Sequence, residues 1–422
     1  MVKILYGNII FTSTSKKFDI YENSYLVSKN GIIKGIYKTL PKEFENVEVD
    51  NYKDKIIIPG LIDLHVHAPQ YAFRGLEMDK ELIDWLNSNT FPEEAKYKNI
   101  DYAIKAYDIF ANDLLHSFTT RAAIFATIHK DATINLMDKL DKTGLITMVG
   151  KVNMDRNCPD YLKEDTNESY LNTIAFIEEA IKKNYKNTTP ILTPRFIPSC
   201  SDLLLDKLKE IEEKYKLPIQ SHLSENLSEI EWVKELCPNA KTYADAYNMH
   251  GLFGENYKTL MAHCVYSSDE ELKLIKDNHV YIVHCPESNT NLRSGIAPIR
   301  KYLDLDLNVG LGSDVAGGTT LNMFKSIEEC VKCSKLRWRV VDSKYKFLNE
   351  AEAFYLATKK GGSFFGNVGS FEEGYELDAV VIDDSKIKRP SDISLENRIV
   401  GAIYLSNQID VVAKYVKGNK VL

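Results

Sequence analysis

The sequence predicts an α/β chain in which a (β/α)8, TIM-like barrel carries a small β-sandwich built from both ends of the polypeptide. Three observations predict it. Across residues 59–371, apolar strand-like runs alternate with amphipathic helical stretches, the pattern of a parallel sheet with helical crossovers. Eight such runs can be counted, enough to close a barrel. Residues 1–58 and 372–422 instead hold short alternating segments with turn dipeptides, and neither piece has enough strands to close a core, so the two are expected to meet in one domain.

The amino-terminal unit reads KILYGNIIF and then NSYLVSKNGIIKGIY, with Asn30-Gly31 as a hairpin signal. The carboxy-terminal segment reads ELDAVVIDD and DVVAKYVKGNKVL, with a turn expected at Gly418 and Asn419. The first barrel strand is expected from the apolar run Ile56 through Leu64, and it ends in His65 and His67 within PGLIDLHVHAPQYAFRG. Residues i and i+2 of a strand share a face, so both imidazoles point toward one place, as two ligands of one divalent metal must. The remaining strands are read at FTTRAAIFAT, LITMVGKV, PILTPRF, LPIQSHLSE, TLMAHCV, VYIVHCP and NVGLGSD. Helical stretches such as DLLLDKLKEIEEKYK and SDEELKLIKDN follow most of them. A long segment after the first strand, through Trp85 and Phe91, is expected to cover the barrel mouth.

Composition narrows the function classes. A chain of 422 residues with 44% hydrophobic and 27% charged residues and a net charge of -7 is globular and mildly acidic, which argues against nucleic-acid binding. Seven scattered cysteines do not form the even, dense framework of a secreted domain, so reduced thiols and a cytoplasmic location are expected. No apolar run approaches the ~18 residues of a membrane span. Cys330 and Cys333 form a CxxC within a helical stretch, which reads as a helix face rather than a zinc or redox site. HxE with PCxxC, HExxH, GxxxxGK[ST] and GxSxG are all missing.

Barrel enzymes place their chemistry at the carboxy-terminal ends of the strands. Here those ends carry His65 and His67 on strand one, His222 on strand five, His263 on six, His284 on seven and Asp314 on eight. Imidazoles with one carboxylate suit zinc or ferrous iron with a position left for water. Glu225, three residues beyond His222, reads either as an acid at a helix start or as a group that takes a proton from metal-activated water.

These residues resemble the amidohydrolase superfamily, and within it the branch that deaminates guanine. The matching segments are PGLIDLHVHAPQY, WLNSNTFPEE, FATIH, TPRF, QSHLSEN, AHC, HCPESN and GLGSDVAGG, in one order over most of the barrel. The resemblance implies one divalent metal per chain, zinc or iron, on His65, His67, His222 and Asp314. It implies His263, Glu225 and Asp314 as catalytic residues, with Glu225 as the proton shuttle, and Gln70, Arg195 and Phe196 as base-binding residues. Strand four ends in Thr193-Pro194-Arg195-Phe196, without the lysine that bridges two metals in many relatives, so one metal is expected. A homodimer is implied by the resemblance alone.

The expected reaction is hydrolysis of guanine at C2 to xanthine and ammonia. A guanidinium can donate two hydrogen bonds to O6 and N7 of guanine, the edge arginine reads in DNA. Gln70 can donate and accept. Phe196 packs either on the base or in the core. His284 either packs behind the site or contacts it, and Glu287 and Arg293 add charges that lie outside the pocket or favour a different base or a substituted purine. His129 belongs to the family-like FATIH segment, while surface or capping roles are expected for His116, His250 and His279. Two other readings remain: a related amidohydrolase that deaminates or dechlorinates another nitrogen heterocycle, and a non-catalytic metal-binding barrel, against which Glu225 argues.

Overall fold

The structure, a computed structural model, describes residues 1–254 and 256–422. Eight parallel strands follow one another around a barrel: Leu61–His67, Thr119–Phe125, Ile146–Gly150, Thr188–Pro190, Ile219–Leu223, Thr259–His263, Tyr281–His284 and Asn308–Leu311. They pair in two runs of four. A bridge between Leu192 and Ile219, with the Gln220 N–H on the Leu192 carbonyl at 2.9 Å, joins the runs. At the other seam the Asp314 N–H donates to the His65 carbonyl at 2.8 Å, and the His67 N–H to the Val315 carbonyl at 3.1 Å. The seam that closes the barrel therefore also brings Asp314 against the two histidines of strand one.

Every residue of Leu61–His67 and of Thr119–Phe125 is buried, as expected for strands covered on both faces. The outer helices show one apolar face. In Asp202–Tyr215 the buried residues Leu204, Leu205, Leu208 and Ile211 lie at helical spacing, and Ser201 caps the first turn by accepting from the Leu204 N–H.

The fourth strand is shorter than the run PILTPRF suggests. It is interrupted after Pro190, and a second short strand, Thr193–Pro194, lies instead against Val152–Asn153. Pro190 and Pro194 have no N–H to give a ladder. The interruption turns Arg195 and Phe196 inward at the barrel mouth, where both line the central cavity.

The apolar run Ile56 through Leu64 is likewise two strands. Val49–Pro59 belongs to a terminal sheet, and the first barrel strand starts at Leu61. Gly60 makes the transfer where backbone and neighbour are too close for a side chain, since a Cβ there would collide with the Thr120 side chain.

That terminal sheet has seven strands, in the order Asn419–Lys420, Asp410–Val416, Ala379–Asp383, Val49–Pro59, Val2–Phe11, Asp19–Lys29 and Ile32–Tyr37. It fits the small β-sandwich expected from the two termini, which meet where Val380 pairs with Ile58. One side gathers Leu5, Ile9, Leu26, Ile57, Val381 and Tyr415 into their own cluster, while Ile10, Ile56, Ile58, Val380 and Ile382 join the main core. Buried Arg121 of the second barrel strand donates to Asp378 at 2.6 Å and ties the sheet to the barrel. The Asn30-Gly31 turn forms as expected, with both residues at positive φ. The last hairpin turns one residue earlier than expected, at Lys417 and Gly418, because Val416 pairs with Asn419.

Candidate active site

Strand one ends on the imidazoles of His65 and His67, whose Nε2 atoms lie 3.1 Å apart. From strand five the His222 Nε2 approaches that of His67 to 3.3 Å, and from the loop after strand eight Asp314 Oδ1 lies 3.2 Å from His65 Nε2 and 3.4 Å from His67 Nε2. These four side chains, from three places in the sequence, converge on one point. The edge of a tetrahedron with ~2.1 Å bonds is roughly 3.4 Å, close to these four separations, and His222 also lies within 4.8 Å of His65 and His263, so the donor set suits one divalent ion.

The surroundings fix the orientation of these side chains. His222 Nδ1 is 2.6 Å from the Arg195 carbonyl, which directs its Nδ1–H there and leaves the Nε2 lone pair facing the cluster. The Phe125 ring packs against His65, His67 and His222 at 4.8, 4.6 and 5.0 Å between centroids and limits their rotation. Asp63, buried beneath the cluster, accepts from the Ser313 N–H at 2.9 Å, the Ser313 hydroxyl at 2.5 Å and the His65 N–H at 3.2 Å, so it holds the Asp314 loop to strand one. Burial lowers the pKa of His65, His67 and His222 and keeps them neutral, the form in which imidazole binds metal. Burial opposes ionisation of Asp314, but the neighbouring histidines outweigh it and hold the carboxyl well below its ordinary range.

His263 stands beside the cluster. Its Nε2 is 3.4 Å from Glu225 Oε2 and 3.7 Å from Asp314 Oδ2, and its Nδ1 is 2.9 Å from the Asn289 side-chain oxygen. Burial disfavours its charge, yet Glu225 and Asp314 reverse the balance and raise its pKa. Ser224, His263 and Asp314 all have positive φ, at 48, 74 and 48°. Such backbone costs about 1–3 kcal/mol per residue and is concentrated where strand ends must aim side chains at a site.

Glu225 is buried and precedes the helix Leu227–Leu236, whose cap is Asn226, so it is not the helix-start acid that its position allows. Ser294 donates to its Oε1 at 2.9 Å, leaving Oε2 toward His263. Burial raises its carboxyl pKa, with a further contribution from Asp314. Glu229 supports it from behind by accepting from the Glu225 and Asn226 N–H groups at 3.1 and 3.3 Å and from the Tyr243 hydroxyl at 2.8 Å.

His67, His222 and Asp314 of the cluster line one cavity together with Glu225 and His263. Gln70, Arg195, Phe196, Glu229, Leu292 and Gly317 line it, with Leu82, Trp85 and Leu86 from the covering segment. Gln70, Arg195 and Phe196 thus face the same space as Glu225 and His263. Two of Arg195's donors are taken by Glu94, at 2.6 and 3.1 Å, so a paired contact to a base must use the remaining N–H groups. Phe196 joins the main core, meets Trp232 edge-on at 6.4 Å and also lines the cavity.

The other candidates fall outside. His284 is buried and absent from the cavity lining, and burial lowers its pKa to about 3. Glu287 accepts from the Thr319 N–H and hydroxyl, and Arg293 donates to the Asp79 carbonyl in the covering segment. His129 precedes the helix Lys130–Thr143 and lines a different cavity, one that none of the cluster residues lines. His250 lies 2.7 Å from Asp206 and His116 2.8 Å from the Asn112 carbonyl. Cys330 and Cys333 are buried free thiols on the helix Met323–Leu336. Cys285 lies within reach of His263 and Asp314, and burial raises its thiol pKa well above the ordinary range. Ser294, Asn289, Glu229 and Glu94 escape sequence reasoning because each acts through another side chain across 26 or more residues, or through backbone N–H groups.

A barrel that gathers imidazoles, one carboxylate and a neighbouring buried glutamate at its strand ends defines a metal-dependent hydrolase. Residues 56–421 match the amidohydrolase family, and the chain belongs to it. It is 36% identical to guanine deaminase of Dictyostelium discoideum, over 100% of this chain and 98% of that protein. It is 39% identical to human guanine deaminase, over 87% of this chain and 83% of that one. Among solved structures, guanine deaminase from C. acetobutylicum with guanine bound in its active site superposes with a TM-score of 0.96 at 50% identity, covering 100% of both chains.

Proposed function

We infer that the chain is a guanine aminohydrolase, converting guanine and water to xanthine and ammonia. The observation that carries this reading is one cavity with base-reading donors, Arg195 and Gln70, on its wall and a ligand cluster with Glu225 and His263 on its floor. The guanine-bound relative, alike over the whole chain, supports the choice of base.

A divalent ion held by His65, His67, His222 and Asp314 supplies the Lewis acidity that makes water a nucleophile near neutral pH. The chain's own groups do the rest. Arg195 and Gln70 orient the ring with C2 toward Glu225. The Oε2 of Glu225, not engaged by Ser294, accepts a proton from the attacking water and passes it to ring N3. Its raised pKa suits a group that must both take and return a proton. His263, held by Asn289, and Asp314 orient the water, and transfer of the remaining proton of the added C2 hydroxyl to the exocyclic amine breaks the C2–N bond, releases ammonia and leaves the C2 carbonyl. Leu82, Trp85, Leu86 and Phe196 exclude bulk water from the ring.

Zinc is the ion we assign, because three imidazole nitrogens and one carboxylate form a set it favours, with ferrous iron as the alternative. The seven free cysteines support a reducing, cytoplasmic setting. Among the described residues no helix is long and apolar enough to cross a membrane. A homodimer and a role in purine breakdown rest on the family resemblance. We also assign the terminal sheet, residues 1–58 and 372–422, and the barrel, residues 59–371, as two domains.

Ammonia release by the zinc-loaded protein from guanine, adenine, cytosine and their nucleosides tests the reading. Release from guanine is expected to exceed release from adenine by at least about 5- to 150-fold, the discrimination of a paired arginine contact of about 1–3 kcal/mol. A preference for another base would contradict it.

A further inference from the structure

The short helix Phe91–Ala95 carries two adjacent acids with different surroundings. Glu93 pairs with Lys96 at 2.6 Å and accepts from the Tyr102 hydroxyl. Glu94 turns the other way and is only 1% exposed. Its Oε2 accepts from Arg195 Nη1 at 2.6 Å, and its Oε1 from Arg195 Nη2 and Gln70 Nε2, both at 3.1 Å. Glu94 is not among the cavity-lining residues, but both side chains it holds are.

Each partner is thereby fixed. The Gln70 amide nitrogen faces Glu94, while its oxygen accepts from the Ala316 N–H at 3.3 Å, so the amide has one orientation. The Arg195 guanidinium lies over the Phe91 ring at 5.2 Å with two donors committed to the carboxylate. A buried guanidinium paired in this way presents oriented N–H groups with its charge largely cancelled.

We propose that Glu94 is a positioning and specificity-determining residue for the deamination inferred above, on which reading the proposal rests. It sets Arg195 and Gln70 in register for one neutral base. It also withholds a free positive charge from the product. Xanthine has a carbonyl where guanine has an amine and loses a ring proton more readily, so an uncompensated guanidinium would retain the product anion. Glu94 therefore favours binding of the neutral substrate over retention of the acidic product.

Glu94→Gln keeps the shape but removes the charge and one acceptor. The KM for guanine is expected to rise about 10- to 100-fold, the effect of losing a hydrogen bond to a charged group, with kcat within about threefold and metal content unchanged. Inhibition by xanthine at alkaline pH, as the ratio of Ki to guanine KM, is expected to tighten by at least about tenfold, a change that a purely structural role would not produce. Glu94→Asp retains the charge, so its KM is expected to rise with the wild-type inhibition ratio preserved. Should Glu94→Gln not fold, Glu94→Asp carries the test, and an unchanged KM there overturns the proposal. An unchanged KM or inhibition ratio in folded Glu94→Gln overturns it as well. If the wild-type protein releases no ammonia from guanine, the functional reading itself fails. If it does and Glu94→Gln behaves identically, only the assignment of Glu94 fails.

Discussion

Glu225→Gln is expected to retain its metal and lose turnover of guanine by about 100- to 10,000-fold, the range for removing a positioned general acid–base. The amide fills the same space and can still accept from Ser294, so the cavity and the four proposed ligands are undisturbed. It cannot take a proton from water and return it to N3. Metal analysis beside kcat separates the two effects. Full activity would show that the proton travels by another route, His263 being the nearest alternative at 3.4 Å.

Arg195→Ala is expected to affect both stability and substrate use. It removes the cation from Glu94, whose carboxylate is almost fully buried, and breaking such a pair from one side costs about 3–5 kcal/mol. It also removes the donor proposed to hold the base, so kcat/KM for guanine is expected to fall by at least about 10- to 100-fold. The ligand cluster is touched only through the Arg195 carbonyl, which alanine keeps, and bound metal should be unchanged. Denaturant unfolding, metal analysis and guanine kinetics on one preparation check all three. A variant as stable as the wild type would mean that the Arg195–Glu94 pair does not form as described.

The parts of this site legible in the sequence are those that follow from strand periodicity. His65 and His67 sit two apart at the end of an apolar run, and strand geometry alone places them on one face. His222, His263 and Asp314 are found by the same rule, because a parallel barrel sends all its strand ends to one rim. Local sequence does not show where one apolar run changes sheet. Ile56 through Leu64 looks continuous, and only the contact with Thr120 across the fold explains why Gly60 divides it. The fourth strand has a similar history: Pro190 and Pro194 announce a break, but its consequence, the inward turn of Arg195 and Phe196, depends on the neighbouring short strand Val152–Asn153.

Supporting residues were the least legible. Glu94 lies one residue from a second glutamate and two after Pro92, where an acid reads as an ordinary helix-start residue. Its pairing with Arg195 spans 101 residues and has no periodic signature. The same holds for Ser294, which meets Glu225 across 69 residues.

The central claim is that this site replaces the C2 amine of guanine with an oxygen from water. The most direct test is mass analysis of the product formed from guanine by the zinc-loaded protein in water enriched in heavy oxygen. The expected product is xanthine carrying one heavy oxygen, with one ammonia released for each guanine consumed. Unchanged guanine, or a product formed without ammonia or without the label, would contradict the account.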